Sequence, residues 1–175
     1  VERYGGMILS TWFDRPLSVA GRIMVKDGNR ILPKLVDVDK DLLMIPNLAI
    51  HMNREANEGY KYNAQVDMLP LLGDETAKGN FMKIVAEAAG VNAEDIIGND
   101  LFLYNRQEGT VWGANNEYIS SAKLDDLECT YASLQGIIEG ENPENVCVHC
   151  VLDNEEVGSG TKQGAASTFL KDTLM

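Results

Sequence analysis

The sequence predicts a mixed α/β protein, α+β overall, in which a β-rich region precedes a helix, a strand and a second helix. Two observations predict this order. Up to about residue 120, short runs of partly alternating apolar residues are separated by turn residues, which is typical of strands. Beyond that point, apolar residues at helical spacing surround one continuous apolar run. We therefore expect two domains, at residues 1–120 and 121–175.

The first region contains a hairpin, a helix and further short strands. Residues 18–25 and 31–38 alternate in part, and the Asp-Gly-Asn turn at 27–29 between them predicts a hairpin. A helix is expected over Asn80–Ala89, with Gly90 as its end. Its apolar face would comprise Phe81, Ile84, Val85 and Ala88. The remaining strands are expected at 101–105, 110–114 and 117–121, the first two joined by a turn at Glu108 and Gly109. The apolar segment 45–52 is too short to distinguish helix from strand.

The second region reads as helix, strand, helix. Residues 124–140 place Leu127, Tyr131, Leu134 and Ile138 at helical spacing. The run 145–152 is continuously apolar, as expected of a strand buried on both faces of a parallel sheet. A polar loop follows, and residues 163–175 then read as a second helix.

Composition excludes several classes of protein. The 175 residues include 27 acidic and 15 basic ones, for a net charge of −12, which argues against nucleic acid as the main partner. The longest apolar stretch is far shorter than the about 20 residues that cross a bilayer, so no membrane partner is expected. Three cysteines fit a reducing compartment, and we expect a cytoplasmic protein. Because the chain opens without a methionine and closes inside a predicted helix, we expect it to be a section of a longer polypeptide.

Acidic residues that could carry chemistry follow the apolar run. In an open α/β sheet, ligands bind where loops leave the carboxyl ends of strands. Asp153, Glu155 and Glu156 lie at that point. Of two adjacent glutamates, one could bind a metal while the other accepts a proton from water. A solvated loop is an equally valid interpretation. The pair Asp125 and Asp126 could likewise bind metal, but carboxylates are favoured at any helix start.

Histidine and cysteine do not complete such a site. No HExxH pattern occurs, and His149 lies within the apolar run, which favours a histidine in the core. Cys147 and Cys150 have CxxC spacing but lie inside the predicted strand, so packing is favoured over redox chemistry or zinc binding. Local sequence leaves His51 undecided between core and surface.

Four segments carry a resemblance to a known family. They are YGGMILSTWFDRPLSVAGR, IPNLAIHMNRE, EYISSAKLDDL and DNEEVGSGTKQGA. With them, the chain resembles the aspartyl aminopeptidase family of dizinc metallopeptidases over essentially its whole length. The resemblance implies that residues 1–120 are an inserted, β-rich domain that mediates dimer contacts within a larger homo-oligomer. Residues 121–175 would then be part of a zinc-peptidase α/β sandwich.

The resemblance also implies roles for four residues. Glu155 matches the general base, while Asp125 and Glu156 match zinc ligands, Asp125 being the one that bridges two zinc ions. His51 matches a histidine that contacts substrate in a neighbouring subunit. The family's remaining ligands fall outside this chain, so the section alone should bind zinc poorly and hydrolyse peptides poorly. Asp126 stands where asparagine is more usual.

Two hypotheses follow. In the first, the chain is a section of a zinc aminopeptidase that removes N-terminal residues from peptides, and the resemblance implies that these residues are acidic. In the second, it is a non-catalytic oligomerisation module. The sequence leaves open the preferred N-terminal residue and the native metal, since carboxylate ligands also accept manganese or cobalt.

Overall fold

The computed structural model describes residues 1–141 and 144–175, which divide into two compact units. Unit 1 comprises Val1–Glu2 and Ile8–Glu108, and unit 2 comprises Arg3–Met7 and Gly109–Met175. Helices are combined with antiparallel sheets, which confirms the predicted mixed α/β class. The assignment of residues 1–120 to assembly and 121–175 to catalysis stays a prediction.

Unit 1 is built on a three-stranded antiparallel sheet. Strands β1 (Leu17–Asp27) and β2 (Arg30–Asp37) form the predicted hairpin, and β3 (Ile96–Asn105) pairs with the other edge of β1. Gly28 in the turn has φ +59°, a left-handed conformation that glycine adopts at little cost. The strand expected at 101–105 is therefore the end of a longer strand, and it pairs with β1 rather than with residues 110–114.

Helix α2 (Phe81–Ala89) lies against this sheet and ends at Gly90 in a left-handed conformation, as predicted. Its buried face differs from the predicted one, because Val85 and Ala89 pack with Ile23 of β1 and Val36 of β2, while Ala88 is exposed. The small side chain of Ala89 lets the last turn of the helix approach the sheet.

Short elements complete unit 1. They are the α-helical turn α1 (Ala64–Asp67) and the 3-10 segments Leu9–Trp12, Glu75–Ala77 and Ala93–Asp95. The undecided segment 45–52 is neither a helix nor a named strand. Ile45 instead forms a single parallel bridge with Phe13. Both side chains are buried in a second hydrophobic cluster, separate from the one beneath helix α2, together with Leu17 and Val19.

Unit 2 contains the hairpin of β4 (Thr110–Trp112) and β5 (Tyr118–Ser120), then α3 (Leu124–Glu139) and α4 (Phe169–Leu174). Helix α3 ends before Gly140, as predicted. The final helix is shorter than predicted, because residues 163–168 form turns. Within the described residues, no helix is long and apolar enough to cross a membrane.

The strand expected at 145–152 is wrong for this structure. Its residues pair with no other described strand, and Val146 is 91% exposed. A strand requires a neighbour that satisfies its backbone groups, and within residues 1–141 and 144–175 no backbone hydrogen bond reaches the amides of 146–152. The apolar run therefore has no sheet to enter.

Candidate active site

The loop that follows the apolar run is held by its own hydrogen bonds. The Gly158 N–H donates to the Asn154 carbonyl at 2.9 Å, and the Thr161 hydroxyl donates to the Gly158 carbonyl at 2.7 Å. The Asn154 amide also donates to the Thr161 hydroxyl. Glu155 and Glu156 occupy the turn inside these bonds, and both are exposed. The loop thus presents two adjacent carboxylates from a fixed backbone.

Glu156 has a partner from the start of the chain. The Gly6 N–H donates to Glu156 Oε2 at 3.0 Å. The preceding residue, Gly5, has φ +65°, and a Cβ built there would lie 2.7 Å from the Glu156 carbonyl oxygen. The two glycines therefore lie directly against Glu156, with one backbone donor directed at its carboxylate.

Asp125 and Asp126 precede the regular part of α3. Both are exposed, and both have non-helical backbone angles, with ψ 112° at Asp125. The Leu127 N–H donates to the Lys123 carbonyl at 3.2 Å, which begins the regular turns after the acidic pair. The location suits a favourable interaction with the helix N-terminus, and exposure leaves both carboxylates accessible to a ligand.

These acids do not amount to a complete zinc site. Carboxylates are accepted zinc ligands, but a catalytic zinc takes three protein ligands and a structural zinc takes four. Among residues 1–141 and 144–175, no group of three His, Cys, Asp or Glu side chains could hold a metal ion. The donors present in the described residues have the right chemistry in insufficient number, and the roles of Asp125 and Glu156 as zinc ligands stay predictions.

His51 belongs to unit 1, where it is exposed in a turn. The segment leading to it is held by Asp14, whose carboxylate accepts hydrogen bonds from the Asn47 backbone and side-chain amides, both at 2.9 Å. These bonds lower the pKa of Asp14. In addition, the Asp14 N–H donates to the Ile45 carbonyl at 2.9 Å. Residues 12–14 and 45–47 are therefore joined by backbone and side-chain hydrogen bonds, shortly before the exposed His51.

The expectations for His149 and the cysteines are wrong for this structure. His149 is half-buried outside any strand, and its Nε2 lies 2.9 Å from the Ser133 hydroxyl of α3. Cys147 and Cys150 are exposed free thiols rather than packed side chains. The cause is the same for all three residues, because the run that carries them does not enter a sheet.

Sequence reasoning missed the structural partners of the candidate residues. In the sequence, Gly5 and Gly6 stand out only as part of the motif YGGMILS, although consecutive glycines often mark a close backbone approach. The bond from Gly6 to Glu156 joins residues 150 positions apart. Local patterns carry no signal for such a pair, and the same holds for Asp14 and Asn47.

Similarity to known proteins extends over the whole chain. A profile described as aminopeptidase I zinc metalloprotease (M18) matches residues 1–175. A probable M18 family aminopeptidase 2 of Clostridium acetobutylicum is 51% identical over 99% of this chain and 41% of its own length. The aspartyl aminopeptidase of Caenorhabditis elegans is 35% identical over 99% of this chain and 43% of its own length. The chain thus spans about two-fifths of the length of these curated relatives.

The fold shows the same relationship. The S. cerevisiae mApe1 dodecamer structure superposes with a TM-score of 0.75 at 29% identity, over 98% of this chain and 40% of the other. The profile covers every residue, including the glycine pair, the segment before His51, the acidic start of α3 and the loop of Glu155 and Glu156. This chain belongs to the M18 family of aminopeptidase I zinc metalloproteases.

Proposed function

We propose that this chain is a section of a zinc aminopeptidase that removes N-terminal residues from peptides. One observation carries the proposal: the loop 154–161 fixes two adjacent, exposed glutamates within a chain that matches an M18 profile throughout. A fixed, accessible pair of carboxylates is what a metal-assisted hydrolysis requires, since one group binds the cation and the other handles the proton.

The roles divide among four side chains. Glu155 accepts the proton of the attacking water and later returns it to the leaving amine. Asp125 and Glu156 supply carboxylate oxygens to a pair of zinc ions, which polarise the scissile carbonyl when bound. The other ligands come from parts of the longer polypeptide. His51 contacts substrate in the active site of a neighbouring subunit, for which its exposure in a turn is suitable.

We further propose an acidic N-terminal residue as the preferred substrate, in a cytoplasmic homo-oligomer built from dimers. The substrate rests on the similarity to a protein named aspartyl aminopeptidase. The assembly rests on the similarity to a dodecamer. Three free cysteines agree with a reducing compartment.

A non-catalytic assembly module is the second candidate. It is favoured by the incomplete ligand set, since the described residues gather no three metal ligands. The two candidates differ in what the full-length polypeptide does, and one assay separates them.

That assay measures hydrolysis of chromogenic N-terminal Asp, Glu and Leu substrates by the full-length polypeptide with added zinc. We expect hydrolysis, fastest with the acidic residues, and a loss of about 10²–10⁴-fold in Glu155→Gln, the range for general-base catalysis. Asp153→Asn changes another exposed acid two residues away and is the matched control, expected to retain activity.

Equal activity of the wild type and Glu155→Gln would refute the role of Glu155. No hydrolysis by the wild type, despite bound zinc, would instead favour the assembly module. Faster cleavage of Leu than of Asp or Glu would overturn the proposed substrate preference while leaving the reaction class intact.

A further inference from the structure

We propose that Gly5 and Gly6 are positioning residues for Glu156. The proposal rests on the proposed function, because it gives these glycines their role through the zinc ligand that we assign to Glu156. Both glycines lie in unit 2 with Glu156, in the short segment Arg3–Met7 that the chain contributes from its other end.

The first step of the argument is the hydrogen bond. The Gly6 N–H donates to Oε2 of Glu156 at 3.0 Å, so one of the two carboxylate oxygens has a backbone donor. Groups that hydrogen-bond a metal ligand fix its orientation, and losing them typically lowers metal affinity or activity by about 10–100-fold. A backbone donor is well suited to this task because it cannot rotate away.

The second step is steric. Gly5 adopts φ +65°, and a Cβ at this position would meet Oε2 of Glu156, its Cβ at 2.5 Å and its carbonyl oxygen at 2.7 Å. Ordinary side-chain contacts are longer than 3 Å, so any residue other than glycine requires either Glu156 or the backbone at Gly5 to shift. The position therefore demands glycine for two reasons, backbone conformation and contact with Glu156.

A glycine elsewhere in the chain separates these reasons. Gly28, in the hairpin of unit 1, has nearly the same φ of +59°, but a Cβ there would meet nothing within 4 Å. An alanine at Gly28 thus reproduces the backbone strain without touching Glu156.

The experiment compares Gly5→Ala with Gly28→Ala in the full-length polypeptide. Zinc affinity is measured by competition with a chromogenic chelator, and Tm and kcat at saturating zinc are measured alongside. We expect Gly5→Ala to weaken zinc binding by about 10–100-fold. Gly28→Ala should lower Tm through the same backbone strain without weakening zinc binding.

A second measurement carries the test if Gly5→Ala fails to fold. Glu156 is exposed, so Glu156→Ala should fold. Without the carboxylate acceptor, the Gly6 amide should exchange with solvent faster than in the wild type.

The outcomes distinguish this inference from the proposed function. Wild-type zinc affinity in folded Gly5→Ala, or unchanged exchange at Gly6 in Glu156→Ala, would overturn the positioning role alone. A wild-type protein that binds no zinc and hydrolyses no peptide would overturn the proposed function, and the positioning role with it.

Discussion

The two units use apolar residues in different ways. In unit 1, Leu17, Ile23 and Val85 are 0% exposed, and every buried hydrophobic side chain of the described residues belongs to this unit. In unit 2, helix α3 carries an apolar stripe, but its members Leu127 and Ile138 are 55% and 67% exposed. Helix α2 of unit 1 has an apolar stripe at the same helical spacing, and that stripe packs against the three-stranded sheet.

This difference shows what can be inferred from the spacing of apolar residues. Spacing reports which face of an element is suited to burial, whereas burial itself requires a second surface. In unit 1, the sheet and α2 supply each other with that surface. The described residues of unit 2 form no buried hydrophobic cluster. The chain as a whole spans only about two-fifths of its relatives' length.

The largest effect is expected from truncating one leucine in each unit. Leu17→Ala removes a fully buried side chain, and the lost burial plus the cavity should lower the free energy of unfolding by about 2–5 kcal/mol. Leu127→Ala removes a side chain that is more than half exposed, so a change within about 0.5 kcal/mol is expected. Urea unfolding of the 175-residue chain, followed by circular dichroism, measures both.

Equal losses would break the comparison, since Leu127 would then be buried in solution. The concentration dependence of unfolding identifies the cause. If Leu127→Ala becomes destabilising only at high protein concentration, a second copy of the chain covers the stripe on α3.

A second effect concerns backbone amides rather than side chains. The central strand β1 pairs along both edges, whereas the amides of 146–152 make no backbone hydrogen bond within the described residues. We expect the β1 amides to exchange only through large openings and the 146–152 amides to exchange within the dead time. Hydrogen exchange followed by mass spectrometry measures this difference. Strong protection of 146–152 would indicate that this run does find a strand partner in solution.

The same contrast explains how much of the fold the sequence predicts. The hairpin is predictable because turn residues at 27–29 and two flanking alternating runs are local signals. Helix α2 is predictable because a glycine follows its apolar residues, and Gly90 does end the helix in a left-handed conformation. The apolar run after Asn145 is mispredicted, because hydrophobicity indicates a strand while the pairing partner that makes a strand lies elsewhere in sequence.

The candidate site divides in a similar way. Glu155, Glu156, Asp125 and His51 come from motifs, and their roles stay predictions. What the structure adds is the long-range support for them, namely Gly6 beside Glu156 and Asp14 beside Asn47. Such pairs follow from the folded path of the chain, so no window of local sequence reveals them.

The smallest effect expected is a pH dependence that originates in unit 1. Hydrogen bonds from the Asn47 backbone and side chain lower the pKa of Asp14 below its usual 3.8. A carboxyl with a lowered folded-state pKa stabilises the fold above its unfolded-state pKa, and that stabilisation is lost as the pH falls through the folded-state value. Because Asp14 is exposed, we expect a contribution below about 1 kcal/mol.

The measurement is urea unfolding between pH 6 and pH 2 for the wild type and Asp14→Asn, where the variant should lose less stability on acidification. Asn47→Ala provides the matched control, because it removes the side-chain amide donor to Asp14 while the Asn47 backbone N–H can still donate. In the Asn47→Ala background, Asp14→Asn should have a smaller effect on the pH dependence, since contacting residues are coupled. An undiminished effect would mean that the Asn47 side chain does not contribute to the pH dependence and that the backbone hydrogen bond from Asn47 acts on Asp14 without it.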